Sequence, residues 1–170
     1  MTKNMNKQQI LEEIDKTKEK EHLASMEKLL DECEYERWKP KDDDIFYYVD
    51  TFCRVIKENW ADVPTDRINY NRGNCFQTHE QAEQEAEKIL IRRQLESIAR
   101  RLNKGEYINW EIIEKKKYYL FYCTINSTIA MTSRYADKVQ GTIYCLDEKF
   151  GDVAIKEIGK ERLIKYLRGE

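Results

Sequence analysis

The chain has 170 residues, 36% of them charged and 41% hydrophobic, and its acidic and basic side chains balance to a net charge of −2. That balance excludes a bulk polyanion binder, which would be basic overall, and an apolar content that includes 11 tyrosines excludes wholesale disorder. No apolar run approaches the about 18 residues of a membrane span, and MTKNMNKQQILEEIDK lacks the apolar core of a signal peptide, so a soluble cytoplasmic protein is expected.

Residues 7 to 36 read as one long helix, without Gly or Pro and rich in Glu, Lys and Leu. Two apolar seams run along it: Ile10, Leu11 and Ile14, then Leu23, Met26, Leu30 and Cys33 in coiled-coil spacing. A helix this thin in apolar residues needs a support, which could be its own domain, a partner protein or a second copy, the last predicting self-association into a homodimer through this arm. Trp38-Lys39-Pro40 ends the helix and Asp42-Asp43-Asp44 forms a turn. Ile45 to Val49 and Phe52 to Trp60 read as a β-hairpin, Ala61 to Arg72 as a loop, and Cys75-Phe76 as a short strand after the Gly73-Asn74 turn.

Thr78 and Gln81 match a capping box, which predicts a helix from there to about Leu102 with its stop at Lys104-Gly105. Its apolar positions switch faces. Ala82, Ala86, Ile89 and Leu90 share one side; Ile91, Leu95, Ile98 and Leu102 share another, about half a turn away. The pattern implies a connector that packs on the N-terminal strands with its first half and on later structure with its second. A kink near Ile91 is one way to achieve this. Residues 117 to 125 then read as a strand paired with 129–133 and 142–146. Asp147 is placed as the N-cap of a helix ending at Gly159, and 161–167 as a final helix.

Each half therefore carries a Tyr-Tyr strand, a glycine turn, a short strand and a capped helix, which suggests two β-β-β-α units in tandem. The expected fold class is α+β. A long N-terminal helix (1–37) is followed by two small antiparallel β-sheet plus helix sub-modules (38–104 and 105–170) sharing the connector.

Catalytic sets are sparse. Of the two histidines, His22 and His79, neither joins a Ser-His-Asp, Cys-His or metal-ligating group, so no catalytic residue, metal or cofactor is assigned. Five singly scattered cysteines read as reduced thiols, mostly buried in strands, although Cys75 before the helix cap could be reactive. Asp42, Asp43 and Asp44 with Asp62 or Asp66 could hold a divalent cation, or form a solvated turn. Glu114-Lys115-Lys116 has the E-x-K spacing of metal-dependent nucleases but precedes its strand rather than lying within it. Arg92, Arg93, Arg100, Arg101 and Lys104 form the best nucleic-acid candidate, against the alternative of a solvated face paired with acids. Tyr35, Trp38, Trp60, Tyr70 and Trp110 are core residues or a protein-binding surface.

Trp38 and Pro40, Tyr47-Tyr48, Trp60, Gly73-Asn74, Phe76, Thr78 and Ala82-Glu83 make a W-x-P, Tyr-Tyr, Trp, G-N-x-F-x-T-x-x-x-A-E framework. Gly141-Thr142-Ile143-Tyr144, Asp147 and Ile158-Gly159 continue it. This framework resembles small accessory proteins of bacteriophages and mobile elements. The resemblance carries no catalytic residue. It implies a phage or prophage setting, where small acidic proteins include inhibitors of host defence and anti-CRISPR proteins among them. The expected function is then non-enzymatic: an acidic surface (Asp42, Asp43, Asp44, Glu80, Glu83, Glu87) occupying the basic channel of a host protein such as a Cas nuclease or its guide-RNA complex. The alternative is a nucleic-acid-binding accessory that uses the basic helix face, and the third reading, an enzyme, would depend on Glu114 or Asp44.

Overall fold

The computed structural model describes residues 37–170. The expected N-terminal arm, with both of its seams, Cys33 and Tyr35, lies outside the described residues. Within 40–170, which form one compact unit, the elements run β1 (Ile45–Val49), β2 (Val55–Asn59), α1 (Pro64–Asn71), α2 (His79–Leu102), β3 (Lys117–Cys123), β4 (Thr128–Arg134), α3 (Phe150–Ile158) and α4 (Lys160–Arg168). The class is α+β, with four helices and two separate two-stranded antiparallel sheets, β1–β2 and β3–β4, among the described residues. No described helix is long and apolar enough to cross a membrane.

Each hairpin acquires a third segment on the free edge of its first strand. Phe76 bridges Tyr47 and Cys145 bridges Tyr118, both antiparallel. Gly73 and Gly141, both at φ +81, turn the chain into these segments, a conformation that favours glycine. The segments are single bridges rather than the strands expected at 75–76 and 142–146. In the first module a side chain does the ladder's work: Asn74 Oδ1 accepts from Val49 N at 2.8 Å, and Asn74 Nδ2 donates to Val49 O at 2.9 Å.

Two further expectations are corrected. The strand expected from Phe52 begins at Val55, because residues 50–54 form a tight turn. Asp50 Oδ1 accepts from both Phe52 N and Arg54 N, and Asp50 Oδ2 holds the Arg54 guanidinium at 2.7 Å. The loop expected over 61–72 contains α1. Pro64 starts it with a pre-set φ, and buried Asp66 accepts from Ala61 N and Val63 N at 3.0 and 3.3 Å, satisfying donors at the helix start.

α2 begins as its capping box requires, with Thr78 Oγ1 accepting from Gln81 N at 3.3 Å, and continues unbroken through Ile91. Its two apolar sides enter two cores. Ala82 and Ala86 pack with Val49, Val55 and Phe76; Ile91, Leu95, Ile98 and Ala99 pack with Leu120, Cys145, Phe150, Ala154, Ile158 and Leu163. Leu90, expected on the first side, is exposed. The helix ends at Leu102, three residues before its glycine. Lys104 takes the left-handed position (φ 52) and Gly105 N returns to Arg100 O at 3.2 Å. The next helix is capped at Lys149 rather than Asp147, whose carboxylate instead accepts from Lys149 N at 2.8 Å. The four described cysteines are all thiols; Cys75 and Cys145 are buried, Cys53 and Cys123 half-buried.

Candidate functional site

α2 divides its charge. Residues 79–90 carry four glutamates and one lysine; residues 91–104 carry four arginines, one lysine and one glutamate. The order suits the helix dipole, which favours anions at the N-terminus and cations at the C-terminus. It also puts opposite fields at the two ends of one rigid element.

At the acidic end, Glu80 and Glu83 are exposed. Glu80 is held below the usual carboxylate range by hydrogen bonds from its own backbone N–H and from the Thr78 hydroxyl, so it stays ionised. Glu83 faces His79 Nδ1 at 3.5 Å, and the His79 ring meets Tyr47 edge-on at 5.5 Å. Glu87 is engaged inside the fold. Its two oxygens grip Arg162 Nε and NH2 at 2.6 and 3.1 Å, which raises the Arg162 pKa. Glu83, Glu87, Lys88, Ile91, Arg162 and Tyr166 line a groove of about 420 Å³ between α2 and α4. Burial pushes the Tyr166 phenol up. The aspartates expected to join this surface lie elsewhere, in the turn before β1. Asp42 and Asp43 are exposed there, while Asp44 accepts from Lys41 N at 2.8 Å and its backbone pairs with Trp60.

The cation reading of that turn does not survive. Asp66 is buried on backbone N–H groups, Asp62 is bidentate to Arg67 at 3.0 and 2.7 Å, and no metal-sized group of His, Cys, Asp and Glu exists among the described residues. Glu114 is exposed in the turn ahead of β3, and the neighbouring Lys115 pairs with Glu106.

The basic row is taken apart by the fold. Arg92 pairs with Glu96 at 3.0 Å, and Arg101 with Glu157 on α3. Arg93 reaches back to the β1–β2 turn and donates to Thr51 O at 2.9 Å and Cys53 Sγ at 3.2 Å. Arg100 and Lys104 are exposed, and their side chains have no ion-pair or hydrogen-bond partner among the described residues. Beside Arg100 a groove of about 400 Å³ is lined by Asn103, Tyr107, Ile108, Ile143 and Tyr144 as well. Tyr107 is 93% exposed.

Two features escaped the sequence. Tyr107 gave no periodic signal because it lies in an irregular segment. Lys117, expected as the first residue of a strand, carried no sign of its environment, yet it is fully buried. Its ammonium donates to Ile112 O and to Tyr135 O (2.6 Å) and lies 5.5 Å from the centre of the Trp110 ring. Trp110 in turn meets Tyr144 edge-on at 4.8 Å. Lys117 therefore ties the two loops around this groove to β3. No family model, curated protein or solved structure matches this chain.

Proposed function

We propose that this chain is a non-enzymatic binding protein, a phage or mobile-element accessory that inhibits a host defence factor, with a CRISPR nuclease as the leading candidate. The observation that supports it is the rigid acidic end of α2. The capping box fixes the first turn, and Glu80 and Glu83 project from it, exposed, with Glu80 held ionised. Fixed carboxylates on a preorganised helix can enter a basic nucleic-acid channel without a large ordering cost. Asp42 and Asp43 add negative charge from a separate turn, whereas Glu87, locked to Arg162, is assigned to the fold rather than to the partner.

The test is native mass analysis of the purified protein with a Cas9-type nuclease, with and without guide RNA. A stable complex that weakens as salt rises, and is lost in a variant carrying Glu80→Lys and Glu83→Lys, supports the reading. No complex in either state removes the nuclease from consideration.

A second reading, a nucleic-acid-binding accessory, is favoured by Arg100 and Lys104. These two keep their charge uncompensated by any contact among the described residues while the other three basic residues of the row are engaged within the fold.

A further inference from the structure

We infer that the groove at the C-terminal end of α2 is a slot for single-stranded nucleic acid, in which Tyr107 stacks on an unpaired base and Arg100 holds the adjoining phosphate. The inference rests on the nucleic-acid reading above and adds to it the strand type, the aromatic contact and the residue that meets phosphate.

Four observations converge on this slot. Arg100 is a planar donor fork on a rigid helix, aimed at solvent with no carboxylate on it. Tyr107 is almost fully exposed yet follows a fixed turn, closed by hydrogen bonds from Lys104 N to Arg101 O, Gly105 N to Arg100 O and Glu106 N to Asn103 O at 3.1, 3.2 and 2.8 Å. The fixed turn restrains the backbone next to Tyr107, and the exposed ring offers a face on which a base can stack. The groove between them, about 400 Å³, has apolar walls in Ala99, Ile108 and Ile143 and accommodates a single nucleotide unit. Lastly, Lys104, just past the helix end in a left-handed position that glycine would hold more comfortably, lines the neighbouring groove and adds positive charge next to the slot rather than within it.

The acidic groups around the slot limit its reach. Glu96 and Glu106 line the slot together with Arg100, but each carboxylate is already paired, Glu96 with Arg92 at 3.0 Å and Glu106 with Lys115, which leaves Arg100 as the slot's charged side chain without an ion-pair partner. On the Lys104 side a neighbouring groove is lined by Asp147 and Glu148, which repel phosphate. The track is therefore short, one or two phosphates long. A duplex offers neither an unstacked base nor a backbone that fits so short a track. A single strand offers both.

The experiment is fluorescence anisotropy with labelled oligothymidine of about 20 nucleotides, the matching duplex, and free thymidine monophosphate as competitor, at about 50 mM salt. Binding should be tighter for the strand than for the duplex, with a log-log salt slope of about −1, as one or two phosphates on a single strand require. Arg100→Glu and Tyr107→Ala should each weaken it roughly tenfold, Lys104→Glu less, and Tyr107→Phe should leave it intact. All these positions are exposed, so the variants keep the fold; an unchanged thermal midpoint confirms it. Equal binding of strand and duplex with no effect of Tyr107→Ala overturns the slot but leaves the basic-face reading standing. No binding of either form overturns both. Competition by the free nucleotide as strong as by the strand overturns the strand as ligand. If the variants leave oligothymidine binding unchanged but disrupt a nuclease complex, the groove is a protein contact and the inference fails.

Discussion

The two hairpins share a topology and differ in what closes their outer faces. Opposite α2, the β1–β2 sheet presents Phe46, which meets Trp60 edge-on at 5.6 Å, and Trp60 meets Tyr70 of α1 at 6.2 Å. Opposite α3, the β3–β4 sheet presents Lys117 and Tyr119, and its cover includes Trp110, Tyr144 and two loops. A helix satisfies its interior backbone groups, so where α1 closes a face only the donors at its start need a partner, which buried Asp66 supplies. Irregular loops bring carbonyls that need a donor, and Lys117 supplies it from beneath. The first face is thus closed by rings and a helix, and the second by rings and loops that an ammonium pins in place. The candidate slot lies on the loop-covered side, where geometry is set by a few polar contacts rather than by packing.

The comparison can be broken most sharply at Trp60. Trp60→Ala removes a 2%-exposed indole between two other rings and should cost about 3–5 kcal/mol, read as a fall in the urea midpoint. Hydrogen exchange should then rise first in β1, β2 and α1, while β3–β4 keeps its protection. Uniform exchange across both hairpins would mean that the modules do not unfold separately. Next comes Lys117→Met, which keeps the buried stem and leaves the Ile112 and Tyr135 carbonyls without their donor. The expected loss is about 2–4 kcal/mol, with faster exchange confined to 106–116 and 135–144. A variant as stable as the original would show that the loops pack without the ammonium.

Smaller effects sharpen the contrast. Lys104→Gly relieves a left-handed residue at the end of α2 and should stabilise by about 1 kcal/mol, while weakening strand binding if the slot is correctly placed. The smallest effect is at the first hairpin's turn. Backbone N–H bonding from Arg54, then the Arg54 side chain, lowers the Asp50 pKa below its ordinary value. A carboxylate with a depressed folded-state pKa contributes stability that is fully present above its unfolded value and is lost as pH falls through the folded one. Acid titration should therefore loosen the 50–54 turn below the ordinary aspartate range, and Asp50→Asn should remove that step. A turn whose protection is independent of pH across that range would contradict this assignment.

Local signals in the sequence carried much of the fold. The Thr78–Gln81 box located the start of α2 because capping is a contact between near neighbours. The face switch between Ala82–Ala86 and Ile91–Ile98 anticipated two cores, because a helix buries a residue according to its angle. α1 was missed because its signal is one buried carboxylate, Asp66, capping a helix of mostly polar residues. The third strand segments shrank to single bridges because pairing length depends on partners far along the chain.

The site was legible only in outline. Composition and helical spacing were enough to show that α2 is acidic at one end and basic at the other, and that its start is capped. Which charges remain for a partner was decided by tertiary structure alone. Glu87 is taken by Arg162 from α4, Arg101 by Glu157 from α3, and Arg93 by the distant β1–β2 turn, and each of these contacts joins residues at least 40 positions apart. Lys117 is buried by nearer segments, through Ile112 and Tyr135, 5 and 18 positions away. Side-chain periodicity reports the angle a residue takes on its own helix; it carries no information about which distant loop or helix will come to lie against it.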